Sequence, residues 1–296
     1  VSHSPSPPPA PVSSSPVFSS PVLSSPRSWT VNCSILLTDL PVPARPQAAR
    51  DAGFDAVEFW WPFAEAVPAD RDVDAFVRAV GDAGVRLTGL NFPAGDMPAG
   101  DRGLLSDPSR SGQFRDAIDV AVGIGAQLGT TGFNALYGNR IDGVAPADQD
   151  ALAAENLAAA GRAAAAIGAV VLVEPVSGVD AYPLRTAADA VAVLDRVGSP
   201  DLALLLDVYH LAVNGDDVAA AIERYADRIG HVQIADAPGR GEPGTGDLPL
   251  ADWLDRLAAA GYTGWIGCEY KPTGPDPFAW LPAGARAAST VRAKLA

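Results

Sequence analysis

Cysteine is almost missing from this sequence: 296 residues hold only Cys33 and Cys268. The two lie far apart, each inside an apolar run, and form no CxxC pair. That excludes a disulfide framework and fits reduced, buried thiols in a cytoplasmic protein. Histidine is scarce too. Of three, His3 sits in the Ser/Pro-rich start, and His210 and His231 alone could hardly assemble a multi-zinc cluster. Basic residues are outnumbered, 21 Lys and Arg against 35 Asp and Glu, leaving a net charge of −14. No basic stripe offsets that field, so nucleic acid is not expected as a partner. No stretch approaches 18 uninterrupted apolar residues, and no membrane span is expected. The glycine-rich RGEPGTG at 240–246 lacks the GK[ST] ending of a P-loop and receives no nucleotide role.

What is present is a large apolar complement, 48% hydrophobic residues with 29 Gly and 27 Pro, enough for a sizeable core. Residues 1–28 are mostly Ser, Pro, Val and Ala without periodicity and read as a disordered leader. They lack the basic start and continuous apolar core of a signal peptide. Residues 29–296 then form one domain, near the roughly 250 residues of a single (β/α)8 barrel.

Eight short apolar runs are candidate strands: Val31–Leu36, Ala56–Trp60, Val85–Asn91, Gly129–Asn134, Val170–Glu174, Leu202–Asp207, His231–Ala235 and Gly264–Glu269. Helical patterns separate them around Pro46–Ala52, Val73–Ala83, Gln113–Ala126, Asp148–Ile167, Ala187–Val197, Asp217–Arg228 and Leu250–Ala260. Gly53, Gly84 and Gly261 each stand where a helix closes through a left-handed residue before an apolar strand. Thr186 with Asp189 three residues later resembles a reciprocal N-terminal cap. The repeated helix-glycine-strand phrase favours a βα array, and eight evenly spread units favour a closed α/β TIM barrel over an open doubly wound sheet.

Four of the runs end in or carry chemistry: VVLVE to Glu174, LALLLD to Asp207, HVQI with Gln233, and WIGCE to Glu269. Parallel strands would bring these groups to one rim, where barrels of this kind keep their active sites. Strand alternation turns Cys268 away from Glu269, Val173 from Glu174 and Leu206 from Asp207, while His231 and Gln233 share a face. Three carboxylates and an amide oxygen in a largely apolar site call for a divalent cation, and an oxygen-rich shell suits Mg2+ or Mn2+. His210 binds a substrate oxygen, polarises a carbonyl or caps a helix; His231 packs or supports a neighbour. Arg240 is a carboxylate or hydroxyl clamp or a solvated surface residue, and Lys271 pairs with the nearby acids or contacts substrate. Phe59, Trp60, Trp61 and Phe63 either wall the pocket or pack beneath the helices. The loops 93–103, 137–147 and 240–246 fall on the catalytic side and are candidates for its wall.

With VEF at 57–59, NFPAGD at 91–96, GDRG at 100–103, EP at 174–175, DVYH at 207–210, GHVQIAD at 230–236, RGEPGTG at 240–246 and GWIGCEYKP at 264–272, the sequence resembles the hydroxypyruvate isomerase family of xylose isomerase-like barrels. The resemblance runs from about residue 29 to about 280. It implies that Glu174 and Glu269 are both metal ligands and the paired acid/base residues. It further implies that Asp207 and Gln233 complete the ligand set and that His210 and Arg240 hold substrate oxygens. The activity it implies is interconversion of hydroxypyruvate and tartronate semialdehyde through a cis-enediolate, with a small hydroxy or oxo acid as substrate. Glu174 is the expected base toward hydroxypyruvate. A four-carbon 2-oxo sugar acid isomerase would use the same core. A ketose 3-epimerase is disfavoured by Gln233 in place of the histidine common there, and an endonuclease of the same fold by the acidic balance. A noncatalytic binding barrel is the alternative of a different class. The sequence leaves the oligomeric state open.

Overall fold

The computed structural model describes residues 27–287. Its strands are β1 Ser28–Asn32, β2 Ala56–Phe59, β3 Arg86–Asn91, β4 Gly132–Asn134, β5 Val170–Val173, β6 Leu202–Asp207, β7 Ile229–Ile234 and β8 Trp265–Cys268. The helices are α1 Arg45–Asp51, α2 Asp70–Ala83, α3 Ser111–Leu128, α4 Pro146–Ala165, α5 Ala187–Val197, α6 Val208–Val213, α7 Val218–Tyr225 and α8 Leu250–Ala259. Every strand pairs in parallel with its sequence neighbour, and β8 returns to β1, so the sheet closes as a barrel. The expected (β/α)8 architecture is the one observed.

The apolar strand runs are explained by two-sided burial. Leu204 and Leu206 on β6 and Val171 and Val173 on β5 are fully enclosed, as is expected where helices cover a parallel sheet. Helix α2 turns Phe76, Val80 and Ala83 inward and ends at Gly84, whose φ of +66° is the left-handed closure read from the sequence. Thr186 and Asp189 form the full reciprocal cap at the start of α5. The C-terminal segment packs on the outside of the barrel, where Trp280 meets Trp29 edge-on at 5.3 Å and Phe278 meets Phe54 at 4.8 Å.

Several boundaries differ from the sequence expectation. The expected leader lies outside the described residues up to position 26, but Ser28 already pairs with Trp265, so the barrel begins inside the segment assigned to it. Strand β1 stops at Asn32 because the chain turns there: Asn32 Oδ1 accepts from the Ser34 amide, and its carbonyl accepts from Leu36 N. Strand β4 starts later than expected because Gly129, at φ +72°, still belongs to the end of α3. Phe59 and Phe63 both stack edge-on against Phe76 of α2, and Trp61 stacks on Phe63. Of the two readings of that aromatic cluster, these contacts are those of packing.

Candidate active site

Glu174, Asp207, Gln233 and Glu269 all emerge buried at the C-terminal ends of β5 to β8. Period-two alternation sets their direction. Gln233 lies in register with Gly267, and a side chain added at Gly267 would come within 2.6 Å of Glu58 Oε1 and 2.9 Å of Gln233 Cγ. Position 267 thus faces the barrel axis, Cys268 turns to the apolar core between sheet and helices, and Glu269 turns back inward.

Asp207 performs two tasks. Its Oδ1 accepts from the amides of Tyr209 at 2.9 Å and His210 at 3.2 Å, which caps α6, a helix the sequence reading did not foresee. Its Oδ2 is buried and has no hydrogen-bond donor among the described residues. Helix α6 presents His210 back toward its own cap, with Nε2 3.6 Å from Asp207 Oδ2. On the other side of the ring, Nδ1 receives the Ser177 backbone N–H at 3.1 Å. A peptide N–H can only donate, so Nδ1 is an acceptor and the neutral ring carries its hydrogen on Nε2. Burial, with help from the Arg240 and Arg102 charges, keeps that ring neutral by holding its pKa well below the usual value. His210 therefore offers a hydrogen to an oxygen in the site.

Arg240 stands in a loop built by Asp236. The Asp236 carboxylate accepts from the amides of Ala237 at 2.9 Å, Gly244 at 2.9 Å and Leu248 at 3.0 Å, and its own amide donates to Gly241 O at 2.8 Å. Arg240 takes a left-handed φ of +60°, and its carbonyl accepts from Lys271 N at 2.7 Å. The guanidinium then reaches inward over the Tyr209 ring, with NH2 2.6 Å from Glu269 Oε1 and 3.6 Å from Asp207 Oδ2. Arg240 is thus turned into the site, with its side chain 16% exposed, and is not a solvated surface residue. Lys271 is the one expected site residue whose side chain stays outside: it is exposed, and its contact with the site is through the backbone.

The acids crowd one another. Burial, then the Asp207 charge, push Glu174 up to about 8, against a hydrogen bond from Asn134. Burial also raises Asp207 to about 6, with Arg240 opposing it. Glu269 is pushed well above the ordinary carboxyl value, by burial first, while Arg240 works against the rise. Arg240 itself is raised: burial disfavours its charge, but Glu269, Asp207 and Glu174 outweigh that cost.

Sequence reasoning missed three polar residues that organise this site. Glu58, on β2, accepts from His231 Nε2 at 2.7 Å, Gln233 Nε2 at 2.7 Å and Asn32 Nδ2 at 3.2 Å. Asn32 Nδ2 and Gln233 Nε2 also donate to Glu269 Oε2, at 2.7 Å and 2.5 Å. Asn134 Nδ2 donates to Glu174 Oε2 at 2.6 Å. The VEF motif contained the signal, since a lone acid between Val57 and Phe59 has no reason to be buried unless it is paired. His231 is accounted for by the same cluster, as a support for Glu58.

The donor set fits a divalent cation. Glu174, Asp207 and His210 offer ligand atoms all within 4.8 Å of one another. Asp207 Oδ2, Gln233 Oε1 and Asn134 Oδ1 are buried acceptors without a donor among the described residues, a costly state for oxygens facing no positive charge. Gln233 spends its amide nitrogen on Glu58 and Glu269, which leaves the oxygen as its free atom. With Nε2 of His210 protonated, the oxygens are the better ligands, as hard cations prefer.

Comparison with known proteins agrees with this architecture. Residues 46–291 match the model of the family described as xylose isomerase-like TIM barrel. A Streptomyces coelicolor protein named "Putative hydroxypyruvate isomerase" is 56% identical over 272 residues, covering 88% of this chain and 97% of that one. The Escherichia coli protein "Hydroxypyruvate isomerase" is 32% identical over 82% of this chain and 93% of its own. The "2-oxo-tetronate isomerase" of Cupriavidus necator is 36% identical over 82% and 92%. Among solved structures, "AP endonuclease, family 2" from Brucella melitensis superposes with a TM-score of 0.78 at 32% identity, covering 86% of this chain and 98% of that one. The chain belongs to the xylose isomerase-like TIM barrel family and, within it, to the hydroxypyruvate isomerase family.

Proposed function

We propose that this protein is a divalent-metal-dependent aldose-ketose isomerase that interconverts hydroxypyruvate and tartronate semialdehyde (2-hydroxy-3-oxopropanoate) through a cis-enediolate. The observation that carries the reading is a pair of buried, raised carboxyl groups, Glu174 after β5 and Glu269 after β8, with two strands between them and donor-free oxygens of Asp207 and Gln233 at the same rim. Two such groups can serve opposite sides of a flat intermediate.

Glu174, Asp207, Gln233 and Glu269 would hold the cation. When bound, Mg2+ or Mn2+ supplies positive charge that favours ionised ligands and the charge that develops on the enediolate oxygens. The chain's own residues do the proton work. Glu174, ionised when the cation is bound, takes the C3 proton of hydroxypyruvate. Glu269, held by Asn32, Gln233 and Arg240, returns a proton to C2, and the O3 hydroxyl proton passes to O2, so that carbonyl and hydroxyl exchange places. His210 Nε2–H steadies a substrate oxygen, and Arg240 Nε, buried without a partner among the described residues, is placed to donate to another. The two buried, unpaired thiols support a cytoplasmic location.

The substrate is a small hydroxy or oxo acid, and the kinship to a 2-oxo-tetronate isomerase favours a four-carbon acid as the second reading. The net charge of −14 opposes a nucleic-acid substrate. The test is proton exchange in D2O, followed by NMR, with hydroxypyruvate and then a four-carbon 2-oxo sugar acid, in EDTA and with Mg2+ or Mn2+. Metal-dependent conversion of hydroxypyruvate, reduced at least about 1,000-fold in Glu269→Gln while the fold is kept, is the expected outcome. Conversion of the longer acid alone moves the substrate. No exchange with either acid in folded, metal-loaded protein would overturn the reading in favour of a binding barrel.

A further inference from the structure

An acid substrate needs a positive charge that the site's own acids do not consume, and Arg240 is not free to supply it. Its guanidinium is matched by Glu269 at 2.6 Å and Asp207 at 3.6 Å, and those are two of the four buried acids, with Glu58 and Glu174, around the rim. Even with a divalent cation present, the four carboxyl groups leave little net attraction for an incoming anion. Lys271 is exposed.

The GDRG motif contains the remaining candidate. The loop after β3 folds against the chain leaving β4. Gly138 N donates to Arg102 O at 2.9 Å, Asn139 Nδ2 donates to Gly100 O at 2.9 Å, and Gly103 N donates to Ala94 O at 2.9 Å. Gly103, at φ +108°, packs so close that a Cβ there would lie 1.9 Å from Leu136 O. This seating fixes the half-buried Arg102. Its NH1 donates to Met97 O at 3.0 Å and Asp101 O at 2.6 Å, while Nε and NH2 have no partner among the described residues. The nearest acid in sequence, Asp101, is bound by Arg110, which also binds Asp107. Arg102 thus keeps an unmatched charge on the loop after β3, seated against the chain leaving β4 at the same C-terminal rim as Glu174, Asp207 and Glu269.

We propose that Arg102 is the residue that recognises the substrate carboxylate, through its free Nε and NH2, and so makes this barrel select an acid over a neutral sugar. This rests on the isomerase reading above. A planar fork held by backbone carbonyls at one end and open at the other suits a bidentate contact with a carboxylate.

The test compares wild type, Arg102→Gln and Arg102→Lys, each loaded with Mn2+. Steady-state kinetics use hydroxypyruvate, and calorimetry uses D-glycerate as a non-reacting acid. The expected result for Arg102→Gln is a KM raised about 30-fold, with kcat within about threefold, a parallel weakening of glycerate binding, and an unchanged Mn2+ affinity. Arg102→Lys should recover part of the loss as a point charge. An unchanged KM, or a fall in kcat with KM unchanged, overturns the assignment. If wild type fails to convert hydroxypyruvate, the isomerase reading fails separately. Glycerate titration then decides the arginine alone: binding that is lost in Arg102→Gln supports it, and binding that is retained, or absent in wild type, overturns it.

Discussion

Replacing Glu58 with leucine tests how the barrel interior positions the rim. Leucine approximates the volume of Glu58 but removes the acceptor of three hydrogen bonds, from His231 and Gln233 at 2.7 Å and from Asn32 at 3.2 Å. Asn32 and Gln233 keep Glu269 as a second acceptor, so the full loss falls on His231 and part of it on the two amides. At about 1.5–3 kcal/mol for each hydrogen bond to a charged group, the expected destabilisation is about 3–5 kcal/mol, a fall in Tm of about 10 °C. Removal of the Glu58 charge works in the opposite direction by relieving Glu174, Asp207 and Glu269, but it is the smallest of the causes that act on each. The Gln233 amide also loses the contact that points its nitrogen inward and its oxygen outward. Mn2+ affinity should therefore fall about 10- to 100-fold. Thermal melts in EDTA read the first effect and calorimetric titration with Mn2+ the second. Glu58→Gln should be milder, because His231 can pass its hydrogen to Nδ1 and accept from the new amide. A leucine variant that melts lower but binds Mn2+ as tightly as wild type would refute the positioning of Gln233 by Glu58.

The pH dependence of stability has a defined sign. In metal-free protein, Glu174 keeps its proton to about 8 instead of 4.5 and Asp207 to about 6 instead of 3.8. The folded state then binds more protons than the unfolded chain across that range, so stability is greatest near the low end and is lost as pH rises through 6 and 8. Melting curves in EDTA should fall from pH 5 to 8, and the gain on adding Mn2+ should grow over the same interval; a gain independent of pH would contradict it. Cys33 and Cys268 are buried with thiol pKa values pushed above the ordinary value. A thiol-specific disulfide reagent at pH 8 should leave the native protein untouched and titrate both groups after denaturation.

Much of this molecule is written locally. The eight apolar runs, the glycines at helix ends and the acid closing a strand are patterns of neighbours, because burial on both faces of a strand and the left-handed turn after a helix constrain adjacent residues. That is why β6 and α5 have the boundaries read from the sequence, and why Glu174, Asp207, Gln233 and Glu269 were legible as a group. Boundaries slipped where a side chain intervened, as at Asn32, or where one residue had two roles. Asp207 reads as a strand end, yet it also caps α6 and so turns His210 into the site. Barrel closure decided the rest. Glu58 and His231 are 173 positions apart and Arg240 and Glu269 are 29 apart, and nothing near either member specifies its partner. Only when β8 pairs with β1 do Asn32, Glu58, Gln233 and Glu269 meet across one axis. The sequence by itself determined which acids close the strands and gather at the C-terminal rim. The tertiary structure decided which of their atoms are satisfied and which stay free, because hydrogen-bond satisfaction depends on what the closed sheet places opposite.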